Sequence, residues 1–144
     1  MKKFSFKLQS LLDWRKAQYE QAELKYAQAI HFQKNAKLTH EATEGALQSF
    51  QEAQKTLRQT PQQALDCQQN VIFFQKLAAD CDLAAEAFDQ AKKMTEVILK
   101  EMLEKKIALQ GVEKLYQKKA KSYTFEAMRR EEKEIEDIVL HKFS

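Results

Sequence analysis

Proline occurs once in the 144 residues, at Pro61, and glycine twice, at Gly45 and Gly111. Turns and β-hairpins draw on these two residue types, so a chain this poor in them has little room for loop-rich or sheet-based folds. Cysteine also occurs twice, and on one helix Cys67 and Cys81 would lie roughly 21 Å apart, too far to bridge. Two such thiols suit a reducing cytoplasm. Neither sign of charge dominates: 24 basic residues stand against 21 acidic ones, a net +3. That balance is too weak to argue for a nucleic-acid partner, and no zinc-finger, RNA-binding or Gly-rich phosphate motif is present. The longest apolar run, Val71-Ile72-Phe73-Phe74, falls far short of a membrane span, so no transmembrane segment is expected. The two lysines at the start precede no long apolar stretch, so no secretory signal is expected.

What the chain does have is a repeat of seven. Cys67, Phe74, Cys81, Phe88, Thr95, Met102, Leu109, Tyr116 and Tyr123 follow one another at that spacing. A companion row offset by four holds Val71, Ala78, Ala85, Leu99, Ala120 and Ala127. Steps of three and four place both rows on one helix face, and a sustained seven-residue period means that this face packs along another helix. The first third of the chain repeats the pattern more weakly. Leu12, Tyr19, Tyr26 and Leu47 form one row, and Leu8, Ala22, Ala29, Ala36, Phe50 and Leu57 the other, interrupted by Arg15, Gln33, His40, Thr43 and Gln54. Polar seam residues lower stability and fix register.

The break between the two repeats falls at Pro61. Thr60, Pro61 and Gln63 read as a capping box, with Thr60 as N-cap and Pro61 at the first helical position. The expected fold is all-α: a single coiled-coil domain with a helix over about 3–58, a turn over about 58–62 and a longer helix over about 61–140. A short connection makes the two helices antiparallel neighbours in a hairpin. Pairing about that turn sets residue n opposite roughly residue 120 − n, which puts Leu8 near Val112 and Phe4 near Tyr116.

Such a hairpin has no pocket in which polar groups converge, so no catalytic residue, cofactor or metal site is expected. His40 and Glu44 lie one helical turn apart, but two ligands without a third make a poor metal site. The informative region is the end of the second helix. Beyond about residue 119 the pairing leaves it without a partner, yet Tyr123, Phe125, Met128, Ile135, Ile138, Val139, Leu140 and Phe143 continue. An unpaired apolar stripe is a binding surface or an oligomer contact, and the alternatives are a frayed tail or a fold-back of residues 4–12 that covers it. Its charge is segregated, with Lys114, Lys118, Lys119, Lys121, Arg129 and Arg130 followed by Glu131, Glu132, Glu134, Glu136 and Asp137. Such segregation orients a docked partner. On the outer sides of the two helices lie Trp14, Leu24 and Leu38, and Phe73, Leu83 and Val97; the larger of these are candidate contact anchors.

The opening Phe4-Ser5-Phe6-Lys7-Leu8-Gln9-Ser10-Leu11-Leu12-Asp13-Trp14-Arg15, with Glu20 and Ala22 after it, resembles the start of the flagellar FliJ proteins of the bacterial type III export apparatus. The ending Glu131-Glu132-Lys133-Glu134-Ile135-Glu136-Asp137-Ile138 is similar to that family's acidic close, although Ile138 stands where an acid is usual. The resemblance implies a non-catalytic coiled-coil stalk like the central stalk of rotary ATP synthases. It implies three partners: the hexameric export ATPase, the membrane export gate protein and the export chaperones. It also implies a cytoplasmic location at the inner face of the cell membrane. On that reading Phe4, Leu8, Leu11, Arg15, Tyr123, Met128, Arg129, Arg130, Ile135 and Ile138, at the open end, would meet the ATPase ring. Trp14, Leu24, Leu38, Phe73 and Leu83 would meet the gate or the chaperones. The equivalent stalk of a virulence injectisome and a generic dimerising coiled coil are the alternatives, and a homo-oligomer is compatible with all three.

Overall fold

The computed structural model describes residues 3–59, 61 and 63–143. It consists of two helices packed against each other, α1 over Gln9–Leu57 and α2 over Ala64–Phe143, with no strand among the described residues. α2 is the longer, at 80 residues against 49. The ends suit the helix dipole: Asp66 lies in the first turn of α2, His141 and Lys142 in its last, and Lys55 in the last turn of α1.

Both helices start later than the sequence suggests. α1 begins at Gln9, and residues 3–6 run ahead of it without helical structure. Phe4, Phe6 and Leu8 alternate with polar residues, a period of two that places side chains on one face only when the backbone is extended. The first helical bond of α1 runs from the Leu12 amide to the Leu8 carbonyl at 2.9 Å. α2 begins at Ala64, three residues after Pro61, which is not helical. The Cys67 amide donates to the Gln63 carbonyl at 3.2 Å, so Gln63 occupies the N-cap place. The expected Thr60 cap lies outside the described residues.

The chain divides into two compact units. In the unit made of residues 23–101, the polypeptide reverses between Leu57 and Ala64, and α1 and α2 run antiparallel. The Thr95 hydroxyl donates to the Ala91 carbonyl at 2.8 Å and reaches the Ala29 carbonyl of the facing helix at 3.4 Å. The Phe50 ring meets Phe73 at 5.0 Å and Phe74 at 6.3 Å between centroids. These pairs set residue n opposite about residue 124 − n rather than 120 − n. The physical reason is the later start of α2: each residue added to the connection moves the facing position along by one.

The rows facing the seam are those of the repeat on α1, where every step from Leu12 to Gln54 is buried or half-buried. On α2 the row from Cys81 to Tyr123 also turns inward. Its companion differs from the sequence reading. The most buried companions are Ala84, Ala91 and Val112, offset by three, whereas Ala78, Ala85 and Leu99, offset by four, are only half-buried. Past Val112 the inward positions become Tyr116, Ala120, Tyr123 and Ala127, so two steps of four fall in succession. A straight helix drifts against a strict seven-residue repeat, and this extra residue takes up the drift.

The other unit comprises residues 1–22 and 102–144. Its core is Leu12, Leu109 and Val112, with Phe6, Leu11, Tyr19 and Tyr116 packed against it. No described helix is long and apolar enough to cross a membrane.

Candidate functional site: the open end of the helix pair

Within the unit that joins residues 1–22 to 102–144, the segment 3–8 lies against α2 as a strap. The Phe4 ring stands 5.5 Å from Tyr116, nearly edge-on, and 5.4 Å from Tyr123. Phe6 meets Tyr116 edge-on at 5.4 Å. Edge-to-face rings at these separations set the ring edges against the π-faces, which adds to the burial of their area. The Phe4–Tyr116 neighbourhood expected from the pairing is therefore present. The expectation that α2 is unpartnered from about residue 119 is overturned by the contact to Tyr123. Through Phe4 the strap reaches both Tyr116 and Tyr123, two turns of α2.

The strap and α2 enclose an open groove of about 660 Å³. Its floor includes Phe4, Tyr123 and Ala127, and its rim carries Lys3, Lys7, Lys119 and Arg130 against Glu126. The groove is apolar at its base and cationic at its edge. Past Ala127 every residue of α2 from Met128 to Lys142 is exposed. This stretch keeps Ile135, Ile138, Val139 and Leu140 in water along with its five acids. Arg129 lies over the Phe125 ring at 5.9 Å, shielding part of one exposed aromatic.

The residues expected at this end divide in two. Phe4, Leu8, Leu11, Arg15, Tyr123, Met128, Arg129, Arg130, Ile135 and Ile138 all belong to the same unit. Of these, Phe4, Leu11, Arg15 and Tyr123 are half-buried, and the rest are exposed. Arg15 projects over Trp14 at 4.9 Å, and its Nε is buried with no hydrogen-bond partner. Trp14 itself is half-exposed in this unit.

Leu24, Leu38, Phe73 and Leu83 belong to the other unit, and Leu24, Leu38 and Leu83 are well exposed there. Phe73 is 47% exposed and also takes part in the seam. It stacks edgewise on Phe50, because one seam phenylalanine of α1 fills the space before both Phe73 and Phe74. His40 stacks on Phe88 at 6.2 Å, with Nε2 2.9 Å from Glu44 Oε1 and a buried Nδ1 that has no partner. Among the described residues no group of three or more His, Cys, Asp or Glu side chains is placed to hold a metal. Cys67 is exposed and Cys81 half-buried, and neither is in a disulfide.

Phe6 and the rim lysines Lys3 and Lys7 were missed as contributors to this end. The signal for them was the alternation of Phe4, Phe6 and Leu8, which marks an extended segment rather than the first turn of a helix.

No curated protein and no solved structure matches the chain. The family model described as flagellar FliJ protein matches residues 4–144, from the first ring of the strap to the end of α2. The chain belongs to the FliJ family.

Proposed function

We propose that this chain is the non-catalytic coiled-coil stalk of the flagellar type III export apparatus. Membership of the FliJ family makes it a flagellar protein associated with type III export. The finer reading is that it joins the hexameric export ATPase to the membrane export gate and helps chaperones deliver substrates, on the cytoplasmic face of the membrane. The observation that carries it is the exposed end of α2, Met128–Lys142, whose apolar side chains stand open to solvent among the described residues. An amphipathic helix of this kind is suited to entering a preformed groove or ring. The adjoining basic and acidic blocks orient its entry. The exposed Trp14, Leu24, Leu38 and Leu83 remain available for the gate and the chaperones. The test is direct. The purified chain is titrated into the hexameric export ATPase, and binding and ATP turnover are followed. Saturable binding with raised turnover supports the stalk, whereas no interaction at concentrations well above those of ordinary cytoplasmic complexes refutes it.

A further inference from the structure

The groove under the strap and the exposed end of α2 fit one another. We infer that the free protein forms an antiparallel dimer in which residues 131–142 of each copy lie in the groove beside residues 119–130 of the other. This goes beyond the export reading and does not depend on it.

Three observations carry the inference. The first is charge. The groove rim holds Lys3, Lys7, Lys119 and Arg130 with Glu126 as its single acid. The segment Glu131–Ile138 holds Glu131, Glu132, Glu134, Glu136 and Asp137 with Lys133 as its single base. A parallel dimer would set each block against itself, and only an antiparallel one joins unlike blocks.

The second is register. If residue n faces residue 261 − n of the second copy, the groove positions Arg130, Ala127, Glu126 and Tyr123 meet Glu131, Glu134, Ile135 and Ile138. The groove positions share one face of α2, and their four counterparts share one face as well, since both sets follow steps of three and four. The same register places Arg129 beside Glu132. Ile138, well exposed, comes down on Tyr123, and Ile135, also well exposed, on Glu126 beside Ala127. Lys119 opposite Lys142 is the one like-charge pair across positions 119–130, and it falls at the outer edge, while Glu126 and Glu134 face apolar side chains with their heads at the rim.

The third is closure. The arrangement uses the same patch twice about a two-fold axis between residues 130 and 131, so it ends at two copies and builds no fibre. It also covers the stripe offered to the ATPase ring, which makes dimer and ring alternative states of one surface.

The experiment uses the full chain alone, in sedimentation equilibrium, with helicity followed by circular dichroism as a folding control. The wild type is expected to show a reversible monomer–dimer equilibrium, and Ile135→Asp with Ile138→Asp to shift it at least ~10-fold toward monomer. Arg129→Glu with Arg130→Glu sets acids against acids, and Glu131→Arg with Glu132→Arg sets bases against bases. Each of these variants is expected to stay monomeric alone, and their equimolar mixture to dimerise. Orientation is read from a spin label at Lys121→Cys, in a chain with Cys67→Ser and Cys81→Ser. Position 121 faces 140, so the two labels should lie roughly 28 Å apart in the antiparallel dimer, against about 10 Å in a parallel one. A chain that remains monomeric at all concentrations, a dimer indifferent to the isoleucine changes, a charge-swapped mixture that stays monomeric, or labels at the short distance each overturns the inference.

Discussion

Phe4 and Tyr123, near opposite ends of the sequence, bring their ring centroids to 5.4 Å of each other. This contact ties the strap to α2 and decides where the packed part of that unit stops. It moves the boundary of the unpartnered helix from about residue 119 to Met128. Any shortening of α2 meant to spare the packed core must therefore keep Tyr123 and Ala127.

Phe4→Ala should release the strap while leaving α1 and α2 in place. The ring is half-buried and touches two tyrosines, so the expected loss is about 1–3 kcal/mol. Hydrogen exchange is expected to rise at the amides of residues 4–9, with little change near Leu109. Unchanged exchange across the strap would show that the ring contacts do not hold it.

Seam truncations should follow burial rather than ring size. Leu109 is 7% exposed and sits in the Leu12–Val112 core, so Leu109→Ala should cost about 2–4 kcal/mol. Phe74 is 36% exposed, and Phe74→Ala should cost about half as much or less. Denaturant melts of the two variants measure the order, and a larger loss for Phe74→Ala would contradict the observed packing.

The helices and the principal seam row were legible in the sequence because a seven-residue apolar period has few other physical causes. The companion row was not, because alanines stand at both possible offsets on α2. Ala78 and Ala85 follow the offset of four, Ala84 and Ala91 the offset of three, and composition does not distinguish them. The register was off by about one helical turn because the start of α2 was set at Pro61 instead of Ala64. At the site, the exposed stripe was visible as apolar residues beyond the pairing. A fold-back of residues 4–12 over that stripe is one of the readings the sequence allows, but a helix expected from about residue 3 hides that residues 3–6 are non-helical.

Neither glycine is required by the backbone or by packing. Neither Gly45 nor Gly111 adopts positive φ, and a Cβ added at either would meet no atom within 4 Å. Gly45→Ala and Gly111→Ala should each stabilise the chain by up to about 1 kcal/mol, by raising helix propensity and restricting the unfolded chain. Thermal melts of the single and double variants check this, and a fall in stability would show that a close approach at these positions has been overlooked.

His40→Leu should also stabilise. The substitution removes a buried Nδ1 without a partner and keeps an apolar group against Phe88. The expected gain is about 1 kcal/mol. The accompanying expectation is a loss of register discipline, since a polar seam residue disfavours slipped pairings. Calorimetry gives the stability, and a broadened distance distribution between labels on the two helices gives the register. A stability loss above about 1 kcal/mol would mean that the His40–Glu44 contact outweighs the unpaired nitrogen.

Docking of the export ATPase on the exposed end of α2 is a proposal that one comparison tests directly. The measurement is the affinity of the ATPase ring for the full chain and for a chain ending at Arg130, by isothermal titration. The truncation keeps the Phe4–Tyr123 contact and the Leu12–Leu109–Val112 core, so its melting temperature should stay close to that of the full chain. Its affinity for the ring should fall more than ~10-fold, because Ile135, Ile138 and the acidic block are gone. A folded truncated chain that binds the ring as tightly as the full one would show that the ring does not hold this end of α2.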